Sequence, residues 1–309
     1  MHLTNIIQII MPLKAAIDIG TNSTRLLIAS QERTRITPVT FVDSVTRLGE
    51  NFDGKGNLTA PAMQRVIDAL LKYKNMIVQA GVAETIVFAT SATREAANGA
   101  AFIAEIARQT GFNCRVISGL EEARLSFKGV ISDIPVAKDC VVCDVGGGST
   151  EFVYTNSSTE PHVTSLKIGS RRAITRFIRN DPMTEDEMRQ IVTDIKDELH
   201  QHLPGLTPQA CISVGGTATT LAMIDNKISC DNQEKAHNKI LKLKNLEIII
   251  RELFVKTIQE RKQIIGLHPD RADVIITGAI IVRSILEHFK LDECRVSLRD
   301  LLFGVMLPD

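Results

Sequence analysis

Short apolar runs alternate with longer stretches of helical periodicity along most of the chain. Residues 59–80 carry apolar side chains at intervals of three and four, and Gly81 follows them, which predicts a helix and its end. Residues 85–90 and 114–117 are short apolar runs typical of buried strands, and a second helix is predicted between them over residues 93–109. This alternation predicts an α/β architecture in which helices cover mixed sheets.

The second half of the chain continues the same alternation. Residues 184–187, Thr-Glu-Asp-Glu, have the spacing of a capping box and predict the start of a helix that ends near Pro204. Residues 210–214 then read as a strand that runs directly into a glycine turn. Helical periodicity returns near the C-terminus, over residues 243–262 and 271–289, with a last segment at 297–306.

Two segments of the chain resemble each other. Residues 18–28, DIGTNSTRLLI, align without a gap with residues 144–154, DVGGGSTEFVY, at an offset of 126 residues (144 − 18). Each predicts an apolar strand, a tight turn of small residues and a second apolar strand. A repeat at domain spacing predicts two copies of one fold facing each other. We therefore expect one domain over residues 1–122 and another over 123–296, with residues 297–309 packing back onto the first.

Composition and charge are those of a globular protein in a reducing compartment. Acidic and basic side chains balance at 36 each, so no long-range field attracts nucleic acid, and a polyanion must be met by a local basic patch. The six cysteines are scattered, which fits the cytoplasm. No run approaches 18 apolar residues, so no membrane span is expected. The patterned sequence begins at Pro12, which makes Met11 an alternative start and residues 1–10 an irregular arm.

Cys140 and Cys143 have the spacing of a redox CxxC motif, but they lie within a predicted strand. Side chains three residues apart in a strand point to opposite faces. We therefore expect neither a disulfide nor a shared metal ion from this pair.

The two small-residue turns have the chemistry of a phosphate site. Glycine-rich turns between strands point several backbone N–H groups at one place without side chains that block close approach. The residues concerned are Gly146, Gly147, Gly148 and Ser149 in one turn and Gly20, Thr21, Asn22 and Ser23 in the other. Asp18 and Asp144 end the preceding strands, and a carboxylate beside bound phosphate calls for a hard cation, Mg²⁺ or Mn²⁺, as the proposed cofactor. A single turn of this kind also fits a purely structural hairpin; two matched turns favour phosphate.

Several segments resemble, in order, the motifs of the exopolyphosphatase/guanosine pentaphosphate phosphatase (Ppx/GppA) family. These are AAIDIGTNSTRLLIA, TSATREAANG, VISGLEEARLSFKGV, CDVGGGSTEFV and VGGTATTLA. The resemblance covers roughly residues 14–306 and fits the short two-domain type, without the further C-terminal domains of larger members. It implies two actin-like, ribonuclease H-like (ASKHA) domains with mixed sheets flanked by helices, and an active site in the cleft between them.

The resemblance also implies roles for individual side chains. One carboxylate of the pair Glu121 and Glu122 supplies the catalytic base, and the motif match favours Glu122. A second interpretation of the pair is acidic residues at a helix N-terminus, where they favour the macrodipole. Arg94 matches a family motif position and is the best candidate for offsetting the charge of the phosphoryl group.

Other candidates have both a ligand-binding and a structural interpretation. Arg25 follows the first turn and either faces the same cleft or points outward. Arg171 and Arg172 either bind distal phosphates or are surface charges. The turn Gly215, Gly216 and Thr217 precedes a helix, which places amide donors at a helix N-terminus. The corresponding turn contacts adenosine in nucleotide-binding relatives of the fold that the resemblance implies, so this turn contacts a nucleoside, a distal phosphate or only its own helix.

The function expected from the resemblance is hydrolysis of terminal orthophosphate from inorganic polyphosphate. Conversion of pppGpp to ppGpp uses the same chemistry and is the near alternative. More distant alternatives are a catalytically weak regulator that binds polyphosphate or the alarmone, and an actin-like ATPase or kinase. The substrate is thus the only partner expected besides a possible homodimer, with neither nucleic acid nor membrane involved.

Overall fold

The computed structural model describes residues 12–33, 35–52, 56–156 and 160–308. The predicted arm over residues 1–10 and the alternative start at Met11 lie outside the described residues. The strands are β1 Leu13–Ile19, β2 Thr24–Glu32, β3 Arg35–Ser44, β4 Glu84–Ala89, β5 Cys114–Val116, β6 Cys140–Val145, β7 Thr150–Thr155, β8 His162–Leu166, β9 Ala210–Val214, β10 Ile240–Lys242 and β11 Glu293–Val296. The α-helices are α1 Ala60–Gln79, α2 Ser91–Glu95, α3 Gly99–Thr110, α4 Gly119–Ile131, α5 Ser170–Phe177, α6 Glu185–His202, α7 Gly215–Asp225, α8 Leu243–Phe254, α9 Ile258–Arg261, α10 Ile275–Phe289 and α11 Leu301–Met306.

The strands form two mixed sheets with the same core topology. The first sheet has five strands in the order β3-β2-β1-β4-β5, and the second has six in the order β10-β11-β9-β6-β7-β8. In the first, β1 is antiparallel to β2 and parallel to β4; in the second, β6 is antiparallel to β7 and parallel to β9. The predicted duplication is therefore confirmed, with each small-residue turn joining the first two strands of one copy.

Helices cover the sheets and bury four clusters of apolar side chains. One face of the first sheet packs against α1 and α3, with Leu70 and Phe102 fully enclosed. Its other face packs against α11 through Leu302 and Phe303. The second sheet packs on one face against α6, α7, α8 and α10, and on the other against α4. The predicted domain boundary after Glu122 falls inside α4, which contacts the second sheet and α11, and that boundary stays a prediction.

Two predicted helices begin at capping residues, of which the one at Thr184 was predicted. Residue Thr59 accepts a hydrogen bond from the N–H of Ala62 and starts α1 one residue inside the predicted range. Thr184 and Glu187 exchange hydrogen bonds as a complete capping box, and α6 ends at His202, close to the predicted end at Pro204. Local sequence therefore sets these ends.

Three other helix predictions were wrong in extent. The predicted helix over residues 93–109 is divided into α2 and α3, because the Asn98 side chain hydrogen-bonds both backbone groups of Leu58. The prediction for 243–262 is divided into α8 and α9, because Thr257 and Glu260 form a second capping box. The helix predicted from residue 271 begins only at Ile275, after a short 3₁₀ helix at Pro269–Arg271.

The cysteines behave as the strand pattern predicts. Cys140 packs with the cluster under α4, while Cys143 belongs to the cluster on the opposite face of the second sheet. All six cysteines are free. Among the described residues, no helix is both long and apolar enough to cross a membrane.

Candidate active site

The two small-residue turns meet around one cavity of about 80 Å³. Each turn is closed by the same backbone hydrogen bond, from Gly20 N–H to the Ser23 carbonyl (2.9 Å) and from Gly146 N–H to the Ser149 carbonyl (3.0 Å). The turns touch: a methyl group added at Gly148 would lie 2.5 Å from Thr21 Oγ1. All eight residues of the two turns line the cavity, so both turns face a single place.

The carboxylates that end β1 and β6 lie in the wall of the same cavity. Asp18 accepts hydrogen bonds from Arg25 Nε (3.0 Å) and Nη2 (2.6 Å) through Oδ2, while its buried Oδ1 has no partner among the described residues. Asp144 accepts a bond of 2.9 Å from Ser126 Oγ. Burial raises the pKa of Asp18, and burial together with Asp300 raises the pKa of Asp144 to about 6. A cation at this place would relieve the cost of burying both charges.

The predicted glutamate pair is divided between the cavity and the surface. Glu122 lies in the first turn of α4, lines the cavity and is 8% exposed. It accepts a hydrogen bond of 3.1 Å from Arg94 Nη1, which also donates to the carbonyl of Ile117. Burial, followed by the neighbouring Glu151, raises the pKa of Glu122 well above its usual value. Glu121 instead forms an ion pair with Arg115 outside the cavity, so only Glu122 can reach a ligand there.

Sequence reasoning missed Glu151, a buried acid on β7. It accepts a hydrogen bond of 2.7 Å from Ser165 Oγ, and burial, together with Asp144, raises its pKa to about 7. The internal repeat could have identified Glu151 from the sequence, because the offset of 126 residues aligns it with the charged residue Arg25. The cross-strand registers agree: Asp18 lies opposite Arg25, and Asp144 lies opposite Glu151. The two copies thus place opposite charges at equivalent positions.

The predicted arginines all have partners. Arg25 lines the cavity and forms ion pairs with Asp18 and Asp300, the latter also missed by sequence reasoning. Arg172 is bound to Glu95 (2.7 Å) and to the Gly148 carbonyl, directly behind the second turn. Arg171 is buried and bonded to the side chain of Asn22 in the first turn. A role in binding distal phosphates stays a prediction for Arg171 and Arg172.

The glycine turn at the start of α7 borders two cavities. Gly215, Gly216 and Thr217 line the phosphate-sized cavity, and Thr217 Oγ1 donates to the Val145 carbonyl at 2.9 Å. Gly215 and Gly216 also line a larger cavity of about 470 Å³. Arg271, not predicted, lies at the same border and forms an ion pair with Asp43 across the cleft.

The larger cavity is mostly apolar. Its walls come from both halves of the molecule and include Leu27, Pro38, Phe41, Met223 and Phe303. The guanidinium of Arg299 lies 4.4 Å from the ring centroid of Phe303 and adds a flat, cationic surface. A flat organic group bonded to a phosphate chain would fit here better than phosphate alone.

Taken together, the fold and site define a duplicated α/β protein with a cavity between two equivalent small-residue turns and a buried carboxylate in the wall of that cavity. The sequence profile of the Ppx/GppA phosphatase family matches residues 17–308, and the chain belongs to this family.

Individual relatives agree with this assignment. Exopolyphosphatase 2 of Mycobacterium tuberculosis is 32% identical over 310 residues, covering 95% of this chain and 97% of that protein. A bifunctional 3-dehydroquinate synthase/phosphatase of Fusobacterium nucleatum is 37% identical over 96% of this chain, which spans only 46% of that protein. The crystal structure of an exopolyphosphatase from Cytophaga hutchinsonii has a TM-score of 0.87 at 29% identity, covering 95% of this chain and 96% of that one. The predicted α/β fold class, with two mixed sheets flanked by helices, is confirmed.

Proposed function

We propose that this phosphatase removes terminal orthophosphate from inorganic polyphosphate by attack of water. The observation that carries the proposal is the position of Glu122 in the wall of the cavity that both phosphate turns line. A volume of about 80 Å³ suits a terminal phosphoryl group. The relative named exopolyphosphatase 2, which has nearly the same length, supports the same substrate.

The chemistry follows from the groups around the cavity. The amides of the two turns would bind the oxygens of the terminal phosphoryl group and stabilise the charge that spreads over them during transfer. Glu122 would orient a water molecule for in-line attack and accept its proton, a contribution of about 10²–10⁴-fold. Arg94 donates a hydrogen bond to the carboxylate of Glu122 and would hold it in place, and its positive charge beside that carboxylate would help to offset charge on the transferred group.

A divalent cation fits the acidic wall of the cavity. Asp18 and Asp144 offer hard oxygen donors, and Asp18 Oδ1 is buried and unpartnered among the described residues. Within the part of the chain that the structure covers, no three His, Cys, Asp or Glu side chains are arranged to bind a metal by themselves. Mg²⁺ typically takes one or two carboxylates and completes its shell with phosphate and water. Bound Mg²⁺ or Mn²⁺ would neutralise phosphate charge beside these two aspartates.

Hydrolysis of pppGpp is a second candidate function, and the larger cavity is the observation that favours it. This cavity of about 470 Å³ shares Arg25, Gly215, Gly216 and Arg271 with the phosphate cavity. A nucleoside in the apolar cavity could therefore extend its 5′-phosphates toward the turns. A linear polyphosphate has no group that would use the apolar wall.

A phosphate-release assay on three substrates tests the proposal. We expect the purified protein with Mg²⁺ or Mn²⁺ to release orthophosphate from short and long polyphosphate faster than from pppGpp, and a chelator to stop the release. Faster turnover of pppGpp would move the assignment to the second candidate. Tight binding of polyphosphate without release under either metal would replace both with a regulatory binding function.

Arg94 should control the pH dependence of this activity. Glu122 must be ionised to accept a proton, so the rate should rise with pH as its raised pKa is passed. The positive charge of Arg94 lowers the pKa of Glu122, so Arg94→Gln should move this rise to higher pH and reduce the plateau rate. The measurement is kcat/KM against pH for both proteins. An unmoved profile would contradict this role, and Arg108→Gln, which removes an exposed ion pair on α3, is the matched control.

A further inference from the structure

We infer that Arg171 sets the spacing between the two phosphate turns and acts as a positioning residue rather than as a contact for distal phosphates. This inference rests on the proposed phosphohydrolase function. Arg171 is absent from the described residues that line the phosphate cavity, whereas Asn22 and Gly147 are both present.

One residue connects the two turns physically. The backbone N–H of Arg171, in the first turn of α5, donates to the carbonyl of Gly147 at 2.9 Å. Its side chain donates to Asn22 Oδ1 from Nη2 (2.8 Å) and Nε (3.3 Å). A single rigid helix start therefore holds the second turn by its backbone and the first turn by its side chain. Movement of either turn would strain one of these bonds.

Arg171 also orients the amide of Asn22. A guanidinium donates only, so it fixes the amide oxygen of Asn22 toward itself. The amide Nδ2 of Asn22 is buried and has no partner among the described residues. Because an unpaired buried donor is costly, this group is suited to an oxygen of the bound phosphoryl group. Arg171 thus determines which end of Asn22 is available to a ligand.

The charge of Arg171 is already balanced. Asp273 Oδ2 lies 2.8 Å from its Nη2, and the same oxygen lies 3.5 Å from Arg47 Nε on the other half of the molecule. Arg47 further donates to the carbonyl of Asp270 at 3.1 Å. Two arginines from opposite halves therefore share one partly buried carboxylate, which favours the observed spacing of the turns. A phosphate that used Arg171 would have to displace Asp273.

The variant Arg171→Lys distinguishes the positioning role of Arg171 from the effect of its positive charge. Lysine can keep the ion pair with Asp273, but it lacks the planar fork that holds Asn22. We expect kcat to fall roughly tenfold, less than the 10²-fold that a 1 Å misplacement can cost. The loss should be equal on tripolyphosphate and on long polyphosphate, with KM unchanged within about twofold. Hydrogen exchange should become faster in peptides that cover residues 18–25 and stay unchanged in α1.

The control for Arg171→Lys is a substitution at another arginine of α5. Arg176→Lys alters the exposed ion pair that Arg176 forms with Asp194 on α6, and it should leave kcat and exchange unchanged. A KM that rises with chain length at constant kcat would overturn the inference and assign Arg171 to distal phosphates. Unchanged kcat and exchange would overturn it too. If Arg171→Lys does not fold, Asp273→Asn should give the same equal loss of kcat, smaller in size, and an unchanged kcat would overturn the inference.

A failure of the proposed function can be distinguished from a failure of the inference about Arg171. If wild-type protein releases phosphate from no substrate, that function is wrong, and hydrogen exchange alone then decides the role of Arg171. Faster exchange over residues 18–25 in Arg171→Lys would still support the spacing role, and unchanged exchange would remove it.

Discussion

Glu122→Gln should lower kcat for polyphosphate by about 10²–10⁴-fold, the usual contribution of a general base. Glutamine has the same shape and can still accept the hydrogen bond from Arg94, but it cannot accept a proton from water. KM should change little, because in the proposed mechanism the amides of the two turns, rather than Glu122, bind the phosphate. Steady-state kinetics on short and long polyphosphate measure both quantities.

Stability should not account for this loss. The pKa of Glu122 is raised in the folded protein, so the native state retains a proton that the unfolded chain releases at lower pH. The stability of the wild-type protein therefore falls as pH rises from the unfolded pKa of this group through its folded pKa. Glutamine does not ionise, so the variant does not lose stability in this way as pH rises. We therefore expect its melting temperature at neutral pH to be at least equal to that of wild type.

The matched control is the neighbouring acid. Glu121→Gln removes only a surface ion pair with Arg115, so its activity should stay close to that of wild type. Equal losses in both variants, or none in Glu122→Gln, would reject Glu122 as the base.

Gly169→Ala should lower kcat by about 10²–10³-fold, comparable to the loss of a preorganised donor at an anion site. Gly169 precedes α5, and a methyl group there would lie 2.4 Å from the carbonyl oxygen of Gly147 and 2.5 Å from the carbonyl carbon of Gly148. These atoms are backbone, so the second phosphate turn itself must move. The overpacking should also cost about 1–3 kcal/mol of stability.

Kinetics combined with thermal unfolding measure both effects of this substitution. Gly56→Ala is the control, because a methyl group at that glycine would meet nothing within 4 Å. If Gly169→Ala keeps full activity while its melting temperature falls, the exact position of the second turn is unimportant for turnover, and the proposed role of its amides is wrong.

Sequence reasoning predicted the features that local pattern encodes. The repeat at an offset of 126 residues identified both turns and their aspartates, because a duplicated fold repeats its hairpins in register. The capping box at Thr184 marked one helix start. The division of the 93–109 helix escaped prediction because its cause is tertiary, a pair of hydrogen bonds between Asn98 and distant Leu58.

Side-chain partners across the cleft could not be predicted from the sequence. The sequence indicates that Arg171 is a basic residue after a glycine, which fits a surface charge or a phosphate ligand equally well. Its actual neighbours, Asn22 and Asp273, lie 149 and 102 residues away along the chain (171 − 22 and 273 − 171). Only the assembled fold brings them together. Glu151, by contrast, could have been found by comparing the two repeats position by position.

The opposite charges at Arg25 and Glu151 have a consequence for how the molecule could be built. A symmetric assembly of two first halves would put two arginines at these equivalent places and would supply no acid there. Two second halves would instead crowd additional carboxylates together without a balancing cation. Neither half could therefore replace the other, and a chain engineered from one duplicated half should fold its sheets yet lose the balanced ionic pocket.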